Sequence, residues 1–403
     1  MAFLSIFATA AWERGGSTLD SPHAAVAGPE PGDNALADVW PTPINVPGFR
    51  SASISANGAF VATVSAQQHI ICVRHQNGRI VWSRPAPGVE NADVSSDGKV
   101  LIAYAPLDPT RTGITIYQGA HGEAVNQFAL DGAIWDVGIS SDSLTATIAT
   151  GAHTLYSLRL DGRPAGRKWS LDGIGDSLSI SRDSKYIAAG TWDDSGVCIY
   201  DTTEIPDKQP PAAQAPVWRY PAAGASRKSV SNRLFEVQIA YNAPYVLGIS
   251  YANFRHTNPT VYLWRLNGRL QWSAPMELGP DASSPKAFIT GNGQYVALSY
   301  ISTVSHGDQV LQQRHLIVLD RNGQQVFYLP GFLFSPTLIA ASPDGSNVLI
   351  SDGSNKLYTV SIDGRMSSPR AMPSPIQQTI ASEDGHFILV YTADGNLNLM
   401  RLG

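Results

Sequence analysis

One short pattern recurs along the whole chain and constrains its fold more than any other feature. A small residue, any residue, Asp or Asn, and then usually Gly or Ser stand directly before an apolar run. The copies are "SANG", "SSDG", "SSDS", "SRDS", "AYNA", "TGNG", "SPDG" and "SEDG". Their third positions are Asn57, Asp97, Asp142, Asp183, Asn242, Asn292, Asp344 and Asp384, spaced by 40, 45, 41, 59, 50, 52 and 40 residues. Asp and Asn tolerate left-handed backbone and bond their own downstream amides, while Gly takes positive φ freely. Each copy therefore predicts a tight turn between two strands. The chain reads as eight repeats of one strand-rich unit.

A second turn follows in most units, as "QNGR", "LDGR", "LNGR", "RNGQ" or "IDGR". After it comes a strand with an aromatic residue three places before a proline. These strands are Val81–Pro85, Val217–Pro221, Gln271–Pro275 and Val326–Pro330. Each unit thus predicts four short strands, A to D, and a closing proline suits an edge strand because it has no amide hydrogen to donate. The strand after the first turn carries Ala62, Ala103, Ala188, Gly248 and Ala297, small enough to let neighbouring sheets pack closely. The last unit stops at Gly403 without a D strand, whereas "VWPTPI" at Val39–Ile44 is a D strand without a unit. Pairing the two closes a ring and removes its free edges. The expectation is an all-β, eight-bladed β-propeller of four-stranded antiparallel blades, a monomeric ring closed by the N-terminal strand at about residues 39–44.

"NGRIVWSRP" (Asn77–Pro85), "NGRLQWSAP" (Asn267–Pro275), "SPDG" and "SEDG" make the chain resemble bacterial WD-repeat-like and quinoprotein-type (PQQ-like) repeat propellers. The resemblance covers residues 39–403 and implies the fold far more specifically than a function. The Gly-His and Trp-Asp pairs of true WD repeats are absent, and "GTWDDSGVCIYD" is only similar to them. A quinoprotein enzyme of this kind often has vicinal cysteines, a cofactor-stacking Trp and a calcium-binding Glu/Asn/Asp set. Cys72 and Cys198, the only two cysteines, are far apart in sequence. They are expected to be buried free thiols in separate units. No Cys-x-x-Cys spacing and no clustered His motif marks a metal, so no cofactor is expected.

Only 15% of residues are charged, against a usual ~25%, which argues against long solvated helices. A net charge of −5 offers no basic stripe for nucleic acid. At the N-terminus, "MAFLSIFATAAW" is apolar but lacks a basic flank, and residues 13–38 are small, polar and rich in Pro and Gly. Residues 1–37 are read as an apolar stub plus flexible tether, either the remnant of a membrane anchor or signal or a disordered tail. Residues 38–403 are read as the propeller. The anchor reading favours a periplasmic, extracytoplasmic or membrane-anchored location.

Elaboration is uneven around the predicted ring. The B–C connections are short in most units but long in units two, five and six, unit four has "TWDDSG", and the D–A connections after units four and five are also long. B–C and D–A connections share one face of a blade. The residues they bring there are Trp192, Asp193, Asp194, Arg227, Lys228, Phe254, Arg255, His256, His306, Asp308 and Arg314. Loops on a rigid scaffold concentrate binding residues, and aromatic and Arg side chains anchor interfaces. The expectation is a non-catalytic scaffold that binds a protein partner or extracellular ligand through blades four to six. The bland alternative for the loops is surface drift, since such loops tolerate insertion; the alternative function is a propeller enzyme, either a metal-dependent hydrolase or lactonase or a quinoprotein dehydrogenase.

Overall fold

The computed structural model describes residues 36–160, 166–171, 174–192, 196–202, 216–220, 233–252, 259–276, 285–306, 309–330 and 337–403. The repeats form an eight-bladed β-propeller of four-stranded antiparallel blades. Blade 1 shows the plan, with strands Phe49–Ile54, Phe60–Ser65, Ile70–His75 and Ile80–Pro85 running from the channel outwards. The innermost A strands of blades 2 to 8 are Asn91–Val94, Ile134–Ile139, Ile174–Ile180, Arg233–Ile239, Lys286–Ile289, Thr337–Ala341 and Ile376–Ala381.

The recurrent turn works as its residues require. In blade 2 the Ser95 hydroxyl donates to Asp97 Oδ1 at 2.8 Å, and that oxygen accepts the Lys99 amide at 3.0 Å. The same hydroxyl-to-Asp/Asn bond recurs at Ser55–Asn57, Ser140–Asp142, Ser181–Asp183, Thr290–Asn292, Ser342–Asp344 and Ser382–Asp384. Blade 5 has Ala240 in place of the hydroxyl and keeps the backbone bonds of the turn, from the Ala240 amide to the Tyr245 carbonyl at 2.9 Å and from the Ala243 amide to the Ala240 carbonyl at 3.4 Å.

The core is divided by seam. Among the described residues, eight apolar clusters form, and each joins two neighbouring blades. Blades 1 and 2, for example, share Val64, Ile71, Val73 and Trp82 with Val94, Leu101 and Tyr117. The small B-strand residues allow this approach. Ala62, Ala103, Ala188 and Ala297 are buried, and in blade 5 Gly248 makes room for the Trp264 ring of its own C strand, which would lie 2.5 Å from a Cβ there.

Closure comes from the N-terminus, as expected, but in two pieces. Leu36–Asp38 pairs with Met400–Leu402, and Ile44–Asn45 pairs with Asn396–Leu397, all on the last C strand, Asn396–Leu402. The Trp–Pro stretch between them bends away from regular pairing, although the Val39 and Trp40 amides both still donate to the Leu399 carbonyl. Prolines at 41 and 43 explain the break, since neither can supply a ladder hydrogen bond. Trp40 is buried at 4% exposure among Val61 of blade 1 and Leu389, Leu397 and Leu399 of blade 8.

A D-strand aromatic therefore latches one blade to the next at five of the eight seams among the described residues. Trp40, Trp82, Trp218, Trp272 and Phe327 each face the glycine of the following blade's C–D turn, at Gly78, Gly122, Gly268, Gly323 and Gly364. At Gly122 a Cβ would lie 2.4 Å from the Trp82 ring.

Candidate functional site

Two regions carry polar or exposed groups beyond what the blades need: the B–C face and the central channel. On the B–C face, blades 2 and 6 extend their B–C hairpins. In an eight-membered ring these two blades stand opposite each other. In blade 6, Tyr295–His306 and Gln309–Asp320 pair continuously. Strand A last pairs at Lys286↔Ser299 and strand D at His315↔Pro330. The six pairs from Ile301↔Arg314 to His306↔Gln309 thus project as a two-stranded ribbon, about 20 Å long at ~3.3 Å per residue. The sequence alone suggests an irregular loop here; the structure makes it regular strand. Natural strand edges are commonly blunted by Pro or Lys. The runs "ISTVSH" and "QVLQQR" contain neither.

The ribbon is rooted in an aromatic ladder. Buried His315 stacks on Tyr300 at 4.4 Å, and its Nδ1 lies 2.6 Å from the Tyr328 hydroxyl. Burial pushes the His315 pKa down to about 4, so the ring is neutral at pH 7. In blade 2, Val100–Asp108 and Arg111–Gln118 form the second long hairpin, whose tip is held by the Arg111–Asp108 ion pair at 2.8 Å. Leu107, on that hairpin, is 60% exposed, and Trp135, at the start of the next A strand, is 50% exposed.

Of the residues the sequence singles out for this face, Trp192 ends the B strand of blade 4 and pairs with Leu234, bridging blade 4 to blade 5. His306 ends the blade 6 B strand opposite Gln309, and Arg314 faces Ile301 across the ribbon. The strand ends carrying these three residues lie on the same face. Asp193, Asp194, Arg227, Lys228, Phe254, Arg255, His256 and Asp308 lie outside the described residues.

The channel holds groups that the repeat pattern conceals. Inner-edge amides of the A strands have no neighbouring strand, and side chains of the preceding blade accept from them. Asp136 Oδ2 takes the Leu178 amide at 2.7 Å, Ser177 Oγ takes Val237 at 3.1 Å, and Ser179 Oγ takes Ile239 at 2.9 Å. Gln238 Oε1 takes Ile289 at 3.0 Å. These residues stand two or four places before the small residue that opens each A–B turn, a register that could have located them in the sequence. Along the bore runs a cavity of about 320 Å³, lined by Ser179, Gln238, Phe288, Glu383, Asp384 and the Lys286–Glu236 ion pair of 3.3 Å.

Two channel acids from different blades, Asp93 and Glu383, each feel the charge of Asp136 in a third blade. Asp93 of blade 2 is hydrogen-bonded by Tyr104 and faces Asp136 of blade 3. Desolvation first, and the Asp136 charge second, push its pKa up to about 7. Glu383, in the A–B turn of blade 8, is exposed to the bore but hemmed in by its walls. Desolvation, then the charges of Asp136 and Asp384, push its pKa up to about 8. Both acids thus hold protons close to neutral pH, an ability general acids need. No group of three or more His, Cys, Asp or Glu among the described residues is arranged to hold a metal ion. Cys72 and Cys198 are buried in blades 1 and 4, and no disulfide joins them.

Neither a protein-family profile nor a curated protein sequence matches the chain. Solved structures do. The chain is similar to the Dos1 propeller, with a TM-score of 0.61 at 13% identity over 92% of this chain and 96% of that one. It is also similar to BamB from Moraxella catarrhalis, with a TM-score of 0.54 at 13% identity over 91% of this chain and 97% of that one. Hydrazine synthase from Kuenenia stuttgartiensis gives 0.51 at 13% identity over 78% and 96%. At such identities the likeness is one of fold, and the chain is an eight-bladed β-propeller similar in fold to these proteins.

Proposed function

We propose that this protein is a non-catalytic propeller scaffold that binds a protein partner through its B–C face. The observation that carries this reading is the blade 6 ribbon, six residue pairs beyond the last contact with strands A and D. A projecting ribbon without blunting residues offers backbone groups to which an extended segment can add as a strand. Exposed Leu107 and Trp135 on the same face add apolar contact area of the kind that anchors interfaces. Trp192, His306 and Arg314 belong to this proposed face. So do Asp193, Asp194, Arg227, Lys228, Phe254, Arg255, His256 and Asp308, by their place in the connections. Similarity in fold to BamB and the Dos1 propeller is compatible with such a role but does not select it.

Site-specific photo-crosslinking in the native host tests the reading. A photoreactive residue at Gln309 or Leu107 should yield partner adducts, and one at Ile80, on the opposite face, should not. Adducts from Ile80 alone would sink it.

The raised carboxyl groups in the channel favour a second reading, a propeller enzyme using Asp93 or Glu383 as a general acid. Turnover of an ester, lactone or glycoside library that is lost in both Asp93→Asn and Glu383→Gln would support it. Turnover that is absent, or unchanged in both variants, would discard it.

A further inference from the structure

We propose that the bore beside blades 4, 5 and 6 is a binding site for a small, uncharged, polyhydroxylated molecule of the sugar or cyclitol kind. The cavity there, about 320 Å³, falls within the ~300–1,000 Å³ of small-molecule sites. Three consecutive A strands build one wall of it in two tiers. Glu236 and Lys286 stand four places before the residue that opens the A–B turn, and Ser179, Gln238 and Phe288 stand two places before it. Glu383, in the A–B turn of blade 8, lines the same cavity. The site lies in the bore and not on the ribbon, so it stands or falls separately from the proposed protein-binding face.

The blades fix which hydrogen-bonding end of each side chain is left for a ligand. Gln238 Oε1 accepts the Ile289 amide at 3.0 Å, which leaves the side-chain nitrogen, with its two hydrogens, for the bore. Ser179 Oγ accepts the Ile239 amide at 2.9 Å, which leaves its hydroxyl hydrogen to donate. The bonds that satisfy the neighbouring A strands thus also hold two donors in place. A ligand that meets them has little side-chain freedom to remove.

Charge selects against ions. Lys286 and Glu236 lie 3.3 Å apart and neutralise each other. The Asp384 carboxylate is turned to its own loop, where Oδ1 takes the Ser382 hydroxyl at 2.6 Å and the His386 amide at 3.0 Å. Desolvation first, and neighbouring carboxylates second, push the Glu383 pKa up to about 8, so at neutral pH it is a further donor. An anion in the cavity would meet Glu236 and Asp384, and a cation would meet Lys286. A neutral molecule meets no like charge. Each of its hydroxyl groups both donates and accepts, which suits fixed donors at Gln238 and Ser179 beside an acceptor at Glu236. Half-buried Phe288 supplies an apolar face for the C–H side of a ring.

Isothermal titration calorimetry of the full chain at pH 7 tests the assignment. The neutral probes are glucose, galactose, N-acetylglucosamine, sucrose and myo-inositol, and the charged comparators are glutamate, arginine and inorganic phosphate. At least one neutral probe should bind, and the charged ones should not. Gln238→Glu keeps an oxygen for the Ile289 amide and removes the donor. It should melt close to the wild type and bind that probe about tenfold more weakly. Should the variant fail to fold, amide hydrogen exchange of the unmodified protein with and without the probe decides. Protection should rise at Ile239 and Ile289, whose amides bond the two side chains that hold the ligand. No binding of any probe, binding of charged probes alone, equal affinity in Gln238→Glu, or protection confined to other blades would overturn the site.

Discussion

The indole Nε1 of Trp40 donates to the Gln76 carbonyl at 2.7 Å, and this bond joins the first described segment to the first blade's C–D turn. The same relationship holds between blades 4 and 5, where Trp218 Nε1 donates to the Leu266 carbonyl at 2.6 Å. Closure of the ring thus repeats, with the N-terminal strand, a contact used elsewhere between consecutive blades. Two consequences are measurable. Trp40→Phe keeps a ring over Gly78 and removes the hydrogen bond, and should cost about 1 kcal/mol. Trp40→Ala should cost ~3–5 kcal/mol, as truncation of a buried Trp does. Urea denaturation of the two variants checks both figures.

Truncation separates the tail from the strand. A chain starting at Leu36 should melt like the full chain, because it retains both paired pieces. A chain starting at residue 46 should melt far lower and aggregate, since it exposes the edge of Asn396–Leu402. Equal melting of the two would remove the N-terminal strand from the ring.

The latch glycines should differ from open ones. Gly122 has φ +62°, and a Cβ there meets the Trp82 ring at 2.4 Å. Gly353 has φ +75° and open space around it. Gly353→Ala should cost about 1 kcal/mol from backbone strain alone. Gly122→Ala should cost clearly more, because strain and overlap with a buried ring add. Thermal melts of the pair compare them directly.

Much of this was legible in the sequence because one turn chemistry repeats at every blade but the fifth, where Ala240 replaces the hydroxyl and only the Asn is kept. Ser or Thr two places before Asp or Asn builds the A–B turn, so its spacing counted the blades. The orphan Trp–Pro stretch identified the closing strand, although Pro41 and Pro43 divide it in a way the repeat did not foretell. The channel was less legible. Asp93, Asp136 and Glu383 occupy positions whose residue type changes from blade to blade, Asp93 for example standing in register with Ser53, Gln238 and Phe288, so no repeat pattern marks them. The ribbon of blade 6 read as a loop, because Ser, Thr and Gln do not mark a strand by hydrophobic alternation.

His315 gives a pH dependence of its own. Its pKa is about 4 when folded, against ~6.5 for an unperturbed histidine. The unfolded chain therefore binds more protons between those values. The contribution of neutral His315 is present above pH 6.5 and is lost as pH falls towards 4. His315→Phe should abolish this part of the profile, on the order of 1–3 kcal/mol. Unfolding free energies of both chains at pH 4.5 and pH 7 measure it, and identical differences would refute it.

The thiols should be inert while the fold holds. Cys72 is 5% exposed and Cys198 4%, and desolvation raises the Cys72 pKa against the lowering effect of Arg74. A disulfide-exchange reagent should label neither in the native chain within hours and both at once in denaturant.

The most direct test of the proposed function is to shorten the blade 6 ribbon. Joining Ile301 to Arg314 through an Asn-Gly turn removes the projecting pairs and leaves the blade body intact. Photo-crosslinked adducts from Leu107 can then be compared between the shortened and full chains at matched melting temperature. Loss of the adduct from the shortened chain is the predicted result. An undiminished adduct would contradict binding through the ribbon face.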